Sequence, residues 1–398
     1  MEGPILVINC GSSSLKIALF DEHLNKLASG LAERLGKDDA FATLKGREEP
    51  IELAAGAKHR DALGALVKAL QDSGLLDAEP AAIGHRVVHG GETFREAALI
   101  KEDVLDAIKE CANLAPLHNP VNLAGIEATT SLFPDIPQVA VFDTAFHQTL
   151  PERAFLYAVP LRLYRDWGVR RYGFHGTSHQ FMVSEAARRL GKTPATTSII
   201  SAHLGNGCSI TAIRDGNSVD TSMGLTPLEG LVMGTRSGDV DPGLFDFLAN
   251  KGVGSQEVHR LLNNESGLLG LSGQTNDMRS LCDLADHGHE PSQTAIDVFC
   301  FRLARYIGAM MASLTHLDAL VFTGGIGENS SLVRKKTLGH LALFGFTIDN
   351  ELNSHHGSIS DGQIEGADSR FRVMVIPTNE ELVIAREALA SVRPVMAG

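Results

Sequence analysis

Two distant segments of the chain follow the same short plan. NCGSSSLKIALFD (9–21) and HLGNGCSITAIRDG (203–216) each read as a strand end, a turn of glycine and hydroxyl residues, and a second strand. Such a unit recurring in both halves points to a duplicated architecture with a ligand between the copies. A chain of 398 residues also exceeds one ordinary core, so two domains are expected. A boundary near 149–151 fits, because the strand expected at 138–142 is followed by a short loop and Pro151.

Between these hairpins, β-branched runs alternate with helical patterns. The strand candidates are 5–9, 138–142, 198–203, 209–214, 319–323 and 373–377. Apolar residues at 62, 63, 66, 67 and 70 have helical spacing, as do those at 104, 105, 108 and 111. The longest such pattern runs through 296, 299, 303, 307, 310 and 314. Mixed elements of this kind predict an α/β fold with helices packed on sheets.

Glycine-rich turns after strands carry the functional signal: NCGSSSLK, HLGNG (203–207) and GGIGEN (324–329). Glycine lets the backbone approach a phosphate, and successive N–H groups form an anion nest. One such turn is usually structural; three together point to a nucleotide. The G-x-x-x-x-G-K-[ST] loop and the H-R-D-L signature are both missing, and GGIGEN lacks the last glycine of G-x-G-x-x-G.

Arg86 in GHRVVHGG and Arg236 in MGTRSGDVDPG sit among small residues, where a guanidinium fork has room to bind carboxylate or phosphate. The alternative for Arg236 is a salt bridge to Asp239 or Asp241. His175 precedes a helix start at 176–178, where it could donate to an oxyanion or be a satisfied core residue. Asp143, Glu380 and Asn9 lie at strand ends, where oxygen ligands suit Mg²⁺; each could equally be a turn residue or cap.

The net charge of −13 argues against nucleic acid as a partner. The N-terminal segment has no basic n-region, and no apolar run approaches the roughly 20 residues of a membrane span, so neither a secretory signal nor a membrane partner is expected. Five scattered cysteines read as reduced thiols of a cytoplasmic enzyme without a zinc site.

The ordered set NCGSSSLK, HRVVHGG, APLHNP, FDTAFH, RRYGFHGTSH, HLGNG, GTRSGDVDPG, GGIGEN and PTNEEL resembles the acetate kinase family over essentially the whole chain. That family lies within the superfamily of sugar kinases, heat-shock chaperones and actin. The resemblance implies an α/β fold of two duplicated actin-like (ribonuclease H-like) domains with an active-site cleft between them. The N-terminal domain would comprise 1–149 plus 384–398. The C-terminal domain, 150–383, would carry the nucleotide and a homodimer interface. One departure from the family pattern is Val121 in APLHNPVN, where a smaller residue is usual.

The resemblance also implies residue roles. ATP or ADP would be held by His203, Leu204, Gly205, Asn206 and Gly207, by Asp277, Met278 and Arg279, and by Gly325, Ile326, Gly327, Glu328 and Asn329, with Ser14 and Lys16 near the phosphates. Asn9 and Glu380 would anchor Mg²⁺, or Mn²⁺ in its place. Arg86, Asp143, His175 and Arg236 would be catalytic. Arg86, Val88, Leu117, Phe174 and Pro227 would line the site for the acid, acetate, which leaves as acetyl phosphate. A carboxylate substrate is already ionised at neutral pH, so direct in-line transfer needs no general base, and Asp143 is expected to orient an arginine or a metal-bound water. The rival readings are a kinase for propionate or another short acid, and a chaperone-like ATPase.

Overall fold

The computed structural model describes residues 3–115 and 118–393. The chain divides into two compact units, Met1–Gln148 with Asn379–Gly398, and Thr149–Thr378. The first is built on eight strands: β1 (Ile5–Cys10), β2 (Leu15–Phe20), β3 (Lys26–Glu33), β4 (Phe41–Leu44), β5 (Ile51–Glu52), β6 (Ala82–Val87), β7 (Ala98–Leu99) and β8 (Gln138–Phe142). Their order in the sheet is β5-β4-β3-β2-β1-β6-β8-β7. The second unit has β9 (Ile199–Leu204), β10 (Cys208–Arg214), β11 (Asn217–Thr221), β12 (Ala319–Thr323) and β13 (Arg372–Val375), in the order β11-β10-β9-β12-β13.

The run β3-β2-β1-β6-β8 repeats the plan of the second sheet. In each, three strands form an antiparallel meander, a fourth pairs with the first in parallel, and a fifth pairs with the fourth in parallel. The two similar sequence segments, 9–21 and 203–216, open the two sheets at equivalent places. The α/β class is borne out, as is the duplicated plan expected of two actin-like domains.

Strand periodicity decides which side chains reach the first unit's chemistry. Ile5 and Val7 of β1 share a buried cluster with Ile384, Ala385 and Ala388 of the C-terminal helix Glu380–Val392. Leu6 and Ile8 face the opposite way, against Leu63, Leu66 and Leu70 of the helix His59–Asp72. The C-terminal helix lies so close to β6 that a Cβ on Gly84 would stand 2.7 Å from Ile384 Cγ2. Successive strand residues alternate faces. Asn9 therefore continues the row of Ile5 and Val7, and its antiparallel partner Lys16 shares that face. Arg86 follows Gly84 on the same face, and Asp143 follows Val139 and Val141.

The helix expected around 62–70 lies inside His59–Asp72, and that at 104–111 becomes Glu102–Glu110, with Cys111 opening a 3-10 turn. The longest helix, Glu290–Met311, stops before Leu314. Its end tightens into i−3 bonds, with the N–H groups of Ala312, Ser313 and Leu314 donating to the carbonyls of Ala309, Met310 and Met311. The stretch around Arg86 reads as a glycine-rich turn, but its first half, Gly84–Val87, belongs to the strand β6. No helix among the described residues is long and apolar enough to cross a membrane.

Candidate active site

Strands β1, β6 and β8 run parallel, so their carboxyl ends gather at one edge of the first sheet. Arg86 and Asp143 meet there. Asp143 accepts from Arg86 Nε at 3.0 and 3.2 Å and from Nη2 at 2.7 Å, a fork on one edge of the guanidinium. Arg86 Nη1 points to Asn9 Oδ1 at 3.4 Å. Burial by itself pulls the Arg86 pKa down, but the Asp143 and Glu380 carboxylates more than offset this and hold it above its ordinary value. The cation is thus permanent, with Asp143 only 1% exposed behind it.

Glu380 opens the C-terminal helix, whose N-cap Asn379 accepts from the Leu382 N–H at 3.2 Å. Its Oε1 is buried and has no hydrogen-bond partner. A buried carboxylate oxygen left unsatisfied is costly unless something fills the gap. With Asn9 Oδ1 on the same sheet face, the donors are hard oxygens, the type that fits Mg²⁺ or Mn²⁺. No group of three or more His, Cys, Asp or Glu side chains able to hold a metal occurs among the described residues.

In the second unit, a layer of histidine and hydroxyl side chains lies between the helix Gly176–Arg189 and the sheet. Ser209 Oγ bonds His175 Nδ1 at 2.9 Å and His179 Nε2 at 2.8 Å. Ser178 Oγ bonds His203 Nδ1 at 2.8 Å, and the rings of His175 and His203 stack with centroids 4.4 Å apart. His175, just before the helix, has a left-handed backbone at φ +56°. A Cβ placed on Gly207 would lie 3.4 Å from His175 Nε2 and 3.7 Å from Arg236 Nη1. An imidazole and a guanidinium therefore border one space that a side chain at 207 would fill.

Arg236 Nη1 donates to Pro227 O at 2.9 Å. The two carboxylates that might have paired with it are engaged elsewhere. Asp239 accepts from the Gly230 N–H at 2.8 Å and from the Tyr306 hydroxyl at 2.5 Å, while Asp241 accepts from the Gly243 N–H at 2.8 Å.

Three sequence motifs share one cavity of about 650 Å³ in this unit. Gly205 and Asn206 come from the turn after β9, Asp277, Met278 and Arg279 from the start of the helix Met278–Asp286, and Gly325, Ile326 and Asn329 from GGIGEN. GGIGEN is a short helix, Gly324–Asn329, rather than an open loop. It starts at Gly324, where φ is +77° and a Cβ would lie 2.7 Å from Leu204 O, so only glycine fits.

Other expected residues make contacts within the fold. Glu328 Oε1 accepts from the N–H groups of Gly324 (2.9 Å) and Thr378 (3.0 Å). Asp277 caps its helix through Ser280 N–H at 2.8 Å. The Leu204 side chain is fully buried, and Gly327 is buried in its short helix. Ser14 lies in the β1–β2 turn, where its carbonyl accepts from the Gly11 N–H at 2.8 Å. Lys16 stands opposite Asn9 and lines a separate cavity with Lys45 and Arg47. Val88 belongs to the first unit, Phe174 and Pro227 to the second, and Leu117 lies outside the described residues.

Ser209, Asn276 and Asn122 were not foreseen. Asn276 borders the cavity and bonds Asn206 Oδ1 at 2.8 Å; its place beside Asp277 was the available signal. Cysteine chemistry has no foothold here. Burial pushes the Cys10 and Cys208 thiols up to about 12, so both stay protonated.

A glycine-bordered cavity in one α/β unit and a guanidinium fixed at the strand ends of the other are features that a phosphoryl-transfer enzyme of the kinase class can use. The Acetokinase family pattern matches residues 4–386, and the chain belongs to that family. It is 52% identical to an acetate kinase of Chromobacterium violaceum, covering 97% of this chain and 98% of that one. A propionate kinase structure from Francisella tularensis superposes with a TM-score of 0.92 at 46% identity, covering 98% of this chain and 99% of that one. An acetate kinase structure from Porphyromonas gingivalis gives 0.89 at 40% identity, with 98% and 100% covered.

Proposed function

We propose that the chain catalyses ATP + acetate ⇌ ADP + acetyl phosphate. The observation that carries this reading is the Arg86–Asp143 fork, which presents a fixed cation for an anion at the carboxyl ends of the parallel strands. A nucleotide switch without an acid substrate has no use for it. In this reading the cavity formed by the turn after β9, the start of Met278–Asp286 and GGIGEN takes ATP.

Phosphoryl transfer asks a protein mainly to position the reactants and neutralise charge on the equatorial oxygens. Arg86 binds the acid carboxylate while Asp143 holds the other edge of its guanidinium. Arg236, fixed by Pro227 O, and His175, fixed by Ser209, bind the moving phosphoryl group. Asn9 and Glu380 would hold Mg²⁺, which would supply positive charge against the phosphates. No residue is needed to remove a proton from the acid. As the resemblance implies, the reading includes a homodimer and a cytoplasmic setting; exposed Phe245, Phe247, Phe301 and Leu343 offer apolar surface for a second copy to cover.

The test is ADP release across acids of two to four carbons, with hydroxylamine trapping of the acyl phosphate. Acetate should give the highest kcat/KM, with propionate measurable but lower by about tenfold or more. No acyl phosphate from any of these acids removes the kinase assignment. The likeness to a propionate kinase supports a second reading, and a preference for propionate would select it.

A further inference from the structure

Past β6 the chain leaves the sheet, and its backbone must find partners elsewhere. Four successive N–H groups do so through side chains. Val88 N–H donates to Asn122 Oδ1 (3.1 Å), His89 N–H to Asn119 Oδ1 (3.1 Å), Gly90 N–H to Thr144 Oγ1 (3.0 Å) and Gly91 N–H to His89 Nδ1 (3.0 Å). Asn119 and Asn122 come from one helix, Asn119–Leu132, and at this spacing share a face. They are 0% and 3% exposed.

Both N and O of each amide are engaged. Asn119 Nδ2 donates to His89 O (3.0 Å) and Ile108 O (3.1 Å). Asn122 Nδ2 donates to Cys10 O (3.2 Å). A single buried amide thus joins the end of β1, beside Asn9, to the end of β6, beside Arg86 and Val88. Asparagine is a weak helix former and burying its amide is costly, so packing alone would favour Leu or Ala here.

We propose that Asn122, supported by Asn119, is a positioning residue for acid specificity. It touches no substrate; it sets where the Val88 backbone, and so the Val88 side chain, stands relative to the Arg86 guanidinium. The inference rests on the acid-kinase reading above. A pocket tells acetate from propionate by where its wall lies, so loosening that backbone relaxes the choice.

The experiment measures kcat/KM for acetate and propionate in wild type, Asn122→Ala, Asn122→Ser, Val88→Ala and the Asn122→Ala/Val88→Ala double variant. Asn122→Ala should raise KM for acetate and lower the acetate-over-propionate ratio by about threefold or more, with KM for ATP within about twofold. In the Val88→Ala background the same change should move the ratio little, because the positioned group is already gone. A folded Asn122→Ala with the wild-type ratio overturns the inference, as do equal rises in KM for acid and ATP. If Asn122→Ala does not fold, Asn122→Ser is judged by the same ratio. Wild type lacking acyl phosphate formation would instead remove the acid-kinase reading; failure confined to the variants leaves that reading in place.

Discussion

At the residue scale, the central question is what Asp143 does. Both of its oxygens face Arg86, and it is almost wholly buried, which supports the proposed role of holding a guanidinium. Replacing Arg86 with Lys keeps the charge but loses the planar fork, and kcat should fall by about 100-fold or more. Asp143→Asn should lower kcat while the pH–rate profile keeps its wild-type shape between pH 6 and 9. Loss of one limb of that profile, restored by added small bases, would mark Asp143 as a proton carrier and defeat this account.

At the scale of elements, the short helix Gly324–Asn329 is held from both ends. Glu328 Oε1 takes the N–H groups of Gly324 and Thr378 at its start. Arg334 Nη1 donates to the carbonyls of Gly327 (2.7 Å) and Glu328 (3.0 Å) at its end. Burial pulls the Arg334 pKa down to about 10, so it remains charged at neutral pH. Glu328→Ala would leave two backbone donors unpaired, at a cost of about 1–3 kcal/mol each. The expected result is a rise of about fivefold or more in KM for Mg·ATP with KM for acetate little changed, because the element borders the cavity assigned to nucleotide. A folded Glu328→Ala with wild-type KM for Mg·ATP would assign this carboxylate to stability alone.

For the molecule as a whole, stability should depend on pH through histidines buried in the first unit. Burial depresses both His85 and His89 to about 4. His85 Nε2 bonds Gln138 Oε1 at 2.7 Å, an oxygen that also accepts from Thr129 Oγ1 at 2.8 Å, so the neutral ring fits a preformed network. The folded-state pKa lies below the unfolded value of about 6.5, so below that pH the unfolded chain binds protons that the folded one refuses. The stabilisation is complete above pH 6.5 and is lost as pH falls toward 4, by up to about 3 kcal/mol per histidine. Denaturant midpoints measured from pH 7 to 4.5 should fall accordingly, and His85→Gln should flatten the fall. A variant with the wild-type slope would show that other groups take up the protons.

Much of this protein is local, and that part was legible in its sequence. Apolar spacing placed the strands 138–142 and 319–323 at the bounds found, because both are short, wholly buried runs. Glycine content marked the turn after β9 and the start of GGIGEN, where at Gly324 only glycine tolerates the backbone. The two similar segments revealed the duplicated sheets, because a hairpin is specified by residues next to one another. Tertiary structure alone decided the pairings. Asp143 meets Arg86 because β6 and β8 lie side by side in one register, which neither strand specifies by itself. Glu380 reaches the first unit because the last helix returns to cover β1 and β6. Asn122 carried no signal of its own in the sequence; packing set its amide against Val88 and Cys10. A turn is determined by the conformational preferences of a few neighbours; a partner dozens or hundreds of residues away is chosen only when register and burial close the sheet around it.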